Sequence, residues 1–148
     1  MNDQQIRKSE SGMLRGAYFI GSTNWFLVEK ITETIGIEPN YIWQQEKPWL
    51  MEVPNFPKIC WGYNLPTKIY DSIETPANEI LDIFWPLRRT IVPFAQINHL
   101  RCSLDIELNI YEEDDFELPV VCKLSVKTMQ KLCELNTTFQ ITHHFHYL

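Results

Sequence analysis

Three histidines close together, His143, His144 and His146, are the first residues in this chain suited to chemistry. Side chains alternate along a strand, so His144 and His146 would point the same way, and such a pair can ligate zinc. No motif supplies a third ligand. A solvated strand face is the competing reading, and no metal is expected. His143 falls on the opposite, apolar face, where a hydrogen-bonded histidine at a core or pocket edge is the natural reading.

A run of carboxylates is the second group: Glu112, Glu113, Asp114, Asp115 and Glu117. A calcium loop needs alternating oxygen ligands, a glycine at its sixth position and a glutamate at its twelfth. This run has neither the glycine nor the spacing. It reads as a solvated turn or as an anionic landing patch for a basic partner. Asp105 and Glu107 lie on the polar side of the strand just before it and extend the same negative field. None of these carboxylates is needed for a core, so all seven are expected at the surface.

The five tryptophans, Trp25, Trp43, Trp49, Trp61 and Trp85, form the third group. Tryptophan is enriched in binding hot spots. Trp61 lies in a strand and reads as core, whereas Trp49 follows Pro48 in an irregular stretch and is the candidate contact. Motifs for a nucleophilic serine, a zinc protease, a phosphate loop or a dinucleotide fold are all missing. No catalytic residue and no cofactor is assigned. Cys60, Cys102, Cys122 and Cys133 include no CxxC pair. Each sits in an apolar stretch, which predicts free, buried thiols.

These residues must be positioned by regular elements. Residues 1–12 are polar and aperiodic and read as a flexible tail ahead of one domain over 13–148. Residues 17–20 predict a strand. Leu27, Val28, Ile31 and Ile35 then fall at helical spacing, with Glu29, Lys30 and Glu33 away from them and Gly36 placed to end the helix. Residues 38–57 carry Pro39, Pro48, Pro54 and Pro57 and read as a loop or short strand pressed onto the body. Residues 58–65 form a strand with Ile59, Trp61 and Tyr63 on one face. Residues 71–85 form a helix capped by Thr75 and striped by Ala77, Ile80, Leu81 and Phe84. Residues 87–98 are ambiguous because Pro93 interrupts them. Residues 100–111 alternate strictly, with Cys102, Leu104, Ile106 and Leu108 opposite Ser103, Asp105 and Glu107. A strand over 119–126, a short helix marked by Val126, Met129, Leu132 and Cys133, and a strand over 138–148 complete the chain. The fold class is α+β: a layer of mainly antiparallel sheet covered by about three helices.

The succession of features resembles a bacterial family catalogued as domain of unknown function 4279. The resemblance is carried by residues 35–39, by Trp43 with Glu46 nearby, by Lys58 and Trp61, by a helix from about Ser72, by the alternating strand 104–110, and by the closing strand–helix–strand unit. Gln45 stands where that family often carries a glycine. The resemblance implies no active site. By type, small acidic proteins of this build also resemble the immunity proteins that accompany bacterial toxins.

Charge and composition narrow the function classes. The formal net charge is −6, with 13 basic and 19 acidic residues. Such a balance disfavours binding to a phosphate backbone, so no nucleic-acid partner is expected. The apolar runs fall far short of the ~18 residues a membrane helix needs. No secretory signal pattern opens the chain, so the expectation is a cytoplasmic protein. The leading expectation is an immunity protein that occludes a cognate toxin domain, using Asp105, Glu107, the run 112–117 and Trp49. One alternative is a small-molecule binding module or enzyme with a pocket lined by Trp and His. Another is a homodimeric scaffold joined through a sheet edge.

Overall fold

The structure, a computed structural model, describes residues 13–24, 27–44, 58–111 and 121–146. Among the described residues six strands form one sheet: β1 (Met13–Ser22), β2 (Tyr41–Gln44), β3 (Ile59–Asn64), β4 (Lys68–Ile69), β5 (Arg101–Tyr111) and β6 (Thr137–His146). Their order is β2-β3-β1-β5-β6, with β4 pairing the start of β1. All pairs are antiparallel except β5 with β6. A parallel pair needs a crossover connection, and the helix α4 (Val126–Glu134) lies between β5 and β6 in the chain. The expected α+β architecture is present.

The helices α1 (Leu27–Ile35), α2 (Glu74–Phe84), α3 (Arg88–Ile97) and α4 form three units, because α2 continues into α3 through a short 3-10 turn at Trp85–Leu87. Pro86 sits in that turn, where its missing N–H is tolerated. The ambiguous span 87–98 is therefore helical as far as Ile97. Pro93 is on the exposed side of α3, which continues past it without breaking.

The core forms between α2 and one sheet face. Leu14, Tyr18 and Ile20 of β1 meet Leu104, Ile106 and Leu108 of β5, Trp61 of β3, and the stripe Ala77, Ile80, Leu81 and Phe84. The Tyr18 ring stacks on Phe84 at 4.2 Å, and Trp61 and Tyr63 approach Phe84 edge-on at 6.1 and 5.8 Å. Gly16 lets α2 come close: a Cβ there would stand 3.1 Å from Ile80 Cγ1 and from the Pro76 carbonyl. Gly36 ends α1 at φ 77°, as its position predicted.

Several expectations are corrected. Thr75 lies inside α2, and the Ser72 hydroxyl instead accepts the Glu74 amide at 3.1 Å. Residues 122–125 are not a strand; Val121 makes an isolated bridge with Ser72. On α4 the buried residues are Thr128 and Leu132, while Val126, Met129 and Cys133 are exposed. All four cysteines are free, but only Cys102 is buried; Cys122 and Cys133 are exposed and Cys60 is half-buried. Residues 1–12, Trp25, most of the proline-rich stretch and the acidic run lie outside the described residues.

Candidate functional site

Of the seven carboxylates and one tryptophan expected to meet a partner, the structure describes two. Glu112, Glu113, Asp114, Asp115, Glu117 and Trp49 lie outside the described residues. Asp105 and Glu107 do share the sheet face opposite the core, as strand alternation requires. They are not a free acidic patch.

Asp105 is 5% exposed, against the expectation of a solvated position. Its strand lies between β1 and β6, so side chains flank it on both sides. The Thr142 hydroxyl sits 2.9 Å from both Asp105 oxygens and donates its one proton to them. Burial pushes the Asp105 carboxyl above its ordinary value. The Thr142 and Gln140 hydrogen bonds pull it back, Glu107 pushes it up again, and His144 lowers it. Glu107 has partners on both sides: Arg15 Nη2 donates to Glu107 Oε2 at 2.5 Å, and His144 Nε2 lies 3.7 Å from the same oxygen.

These contacts run across β1, β5 and β6 and fasten the edge strand β6 to the sheet. Neither described groove touches them. Because the carboxyl is raised above 3.8, ionising it costs the folded state stability at neutral pH. That cost fades as pH falls through the folded value and is gone below 3.8. Asp105→Asn keeps an acceptor for Thr142 and removes the charge. The variant is expected to be at least as stable as wild type at neutral pH, with the difference vanishing below 3.8. Urea unfolding at the two pH values checks this. A loss above about 1 kcal/mol at neutral pH, the size of an ordinary hydrogen-bond deletion, would refute it.

Of the histidine pair, only the side chain of His144 is among the described ones. His144 is about half exposed beside Glu107, and no group of three potential metal ligands occurs among the described residues. Trp61 is fully buried, with its indole N–H donated to Thr32 Oγ1 at 3.1 Å. Trp85 is held at the surface: Arg88 stacks 3.7 Å from its ring centroid, and its Nε1 donates to Glu134 at 2.8 Å.

The exposed aromatic surface lies elsewhere, at the sheet edge formed by β2. Tyr41, Ile42 and Trp43 are 41%, 48% and 38% exposed in succession. Tyr41 and Trp43 register with Gly62 and Cys60 on the face opposite the helices. Phe19 of β1 meets the Tyr41 ring edge-on at 5.8 Å, and Gly62 leaves the space for both rings. Ile42 registers with Trp61 and so points to the helix side. There it helps line an open groove of about 330 Å³ between α1 and β2, whose lining also includes Glu29, Glu33 and Glu38. The other side of β2 has no strand partner among the described residues.

A family profile described as Domain of unknown function (DUF4279) matches residues 14–146. The chain belongs to this family. The DUF4279 match runs from β1 to β6 and takes in both the fastened polar face and the β2 edge. No curated protein and no solved structure matches the chain.

Sequence reasoning allowed a short strand within residues 38–57, where β2 lies, but expected it pressed onto the body and missed its exposed edge and the groove. Glu29 and Glu33 read as the solvated side of an amphipathic helix. Their i, i+4 spacing carried a signal, because like charges so placed cost an isolated helix about 0.2–0.5 kcal/mol. Nothing in the sequence says that Glu38 and Ile42 fold back beside them.

Proposed function

We propose that this DUF4279 chain is a cytoplasmic binding protein that neutralises a bacterial toxin domain by covering it, with no chemistry of its own. The observation that supports this reading best is the β2 edge, where three large apolar side chains stand exposed in a row on a strand whose outer side has no partner among the described residues. Clustered exposed aromatics are the residues that dominate protein interfaces, and a free strand edge can pair with an extended segment of a partner. The net charge of −6 supports a basic partner, since complementary charge speeds encounter and rejects wrong partners. No described helix is long and apolar enough to cross a membrane. Neither described groove carries a Trp or a His in its lining.

Co-expression with the reading frame immediately upstream in the source genome tests the proposal. The expected result is protection of the cell and a stoichiometric complex on size exclusion with light scattering. Tyr41→Asp with Trp43→Asp should abolish both while circular dichroism stays native. A neighbouring toxin that binds and kills regardless, or a homodimer that buries Tyr41 and Trp43, would overturn the reading.

A further inference from the structure

We infer that the groove between α1 and β2 receives a lysine or arginine side chain from an extended segment of the partner, laid along the β2 edge. This rests on the protein-binding reading and names the chemistry of the segment that is bound.

The groove has the two parts such a side chain needs. Its lining is part apolar, from Val28, Pro39 and Ile42, and part acidic, from Glu29, Glu33 and Glu38. Long basic side chains lay their methylenes on apolar surface and keep the charged head at its rim. The head would then make charge-assisted hydrogen bonds, which are stronger than neutral ones. The remaining polar group in the lining is already engaged: Thr32 Oγ1 accepts from Trp61 at 3.1 Å and donates to the Val28 carbonyl at 3.2 Å. The three carboxylates make no hydrogen bond or ion pair that would compete for a ligand cation among the described residues.

Strand geometry fixes the partner's pattern. A strand added beside β2 places alternate side chains on opposite faces. Those on the Ile42 face enter the groove, and those between them lie beside Tyr41 and Trp43. The bound segment is therefore basic at one or both alternate positions and apolar between. A second copy of this chain is a poor occupant, because it would bring the same three carboxylates to the same edge.

The test uses the full chain, labelled with nitrogen-15, and two hexapeptides with blocked ends, Thr-Lys-Val-Arg-Val-Thr and Thr-Glu-Val-Glu-Val-Thr. The basic peptide should shift amide resonances of α1 and of residues 38–44 in a saturable way, and the acidic peptide should not. Glu33→Gln with Glu38→Gln should weaken the basic peptide about tenfold, as the loss of two partly exposed ion pairs predicts. Equal shifts by both peptides, no shifts, or an unchanged affinity in the double variant would overturn the groove. The failure of each idea is distinguishable. A toxin that is captured equally by wild type and double variant removes the groove and leaves the protein-binding reading. A basic peptide bound at the groove with no complex from the neighbouring frame removes the toxin reading and leaves the groove.

Discussion

Phe84→Ala is expected to cost the folded state about 3–5 kcal/mol, the range for deleting a fully buried aromatic ring. Phe84 is 0% exposed and stands at the last turn of α2, just before the chain bends into α3. Its ring is where three sheet aromatics converge: Tyr18 stacked at 4.2 Å, and Tyr63 and Trp61 edge-on at 5.8 and 6.1 Å. Tyr18 is itself fixed, because its hydroxyl shares a hydrogen bond of 2.9 Å with Thr137 Oγ1 at the start of β6. A void at Phe84 therefore loosens strands from β3 to β6 at once. Neither Tyr18 nor Trp61 can collapse into it without breaking a polar contact of its own. Urea unfolding should show a lower midpoint with an unchanged slope. A loss under about 2 kcal/mol would mean that the aromatic cluster repacks freely, contrary to this account.

Glu74→Gln should be the second largest loss, about 2–3 kcal/mol at neutral pH, in keeping with hydrogen bonds to a charged group. Glu74 lies in the first turn of α2 and faces the start of α4. Its Oε1 accepts from the hydroxyls of Thr128 and Ser125, the latter at 2.8 Å, and from Asn78 Nδ2 at 3.1 Å; its Oε2 accepts from the Ser125 amide at 2.7 Å. Ser125 is also the N-cap of α4, accepting the Thr128 amide at 3.2 Å. One carboxylate thus sits at the positive ends of two helices, where an anion is favoured. Glutamine would turn an N–H₂ group toward donors and leave some of them unmatched.

The pH dependence follows from the same contacts. Desolvation acts upward on the Glu74 carboxyl, but the bonds from Thr128, Ser125 and Asn78 outweigh it and hold the group at about 2, down from 4.5. A lowered carboxyl contributes stability that is full above 4.5 and is lost as pH falls through about 2. Wild type and Glu74→Gln should therefore differ most at neutral pH and converge in strong acid. A parallel pair of stability curves would show that the charge is not what matters. Asp105 titrates with the opposite sign, so the two carboxylates separate cleanly in a pH series.

Much of the fold is legible in the residues alone. The alternation of Cys102, Leu104, Ile106 and Leu108 with polar neighbours assigned each to its face, because side chains of a strand point to opposite sides whatever surrounds it. The stripe Ala77, Ile80, Leu81 and Phe84 marked the buried side of α2 by helical spacing. Gly36 marked the end of α1, because a positive φ suits glycine. The closing helix and final strand were visible too, but the strand expected over 119–126 is not there among the described residues, and the parallel pair instead joins β5 to β6 across α4. These are local properties, set by bonds and by neighbours in sequence.

Tertiary structure alone decided the rest. Alternation put Asp105 on the second face of β5, but only the strand order put β1 and β6 on either side of it and so made that face dry at Asp105. Spacing marked α4 by Val126, Met129, Leu132 and Cys133, of which only Leu132 is buried. The structure turns the helix toward Thr128 and Leu132, because the Thr128 hydroxyl joins the Glu74 network across 54 residues of sequence. Glu29, Glu33, Glu38 and Ile42 share one groove for a similar reason: the turn after Gly36 brings β2 back beside α1. In each case the deciding contact joins separate elements. Its energy depends on which groups exclude water from one another, and a list of residues does not contain that.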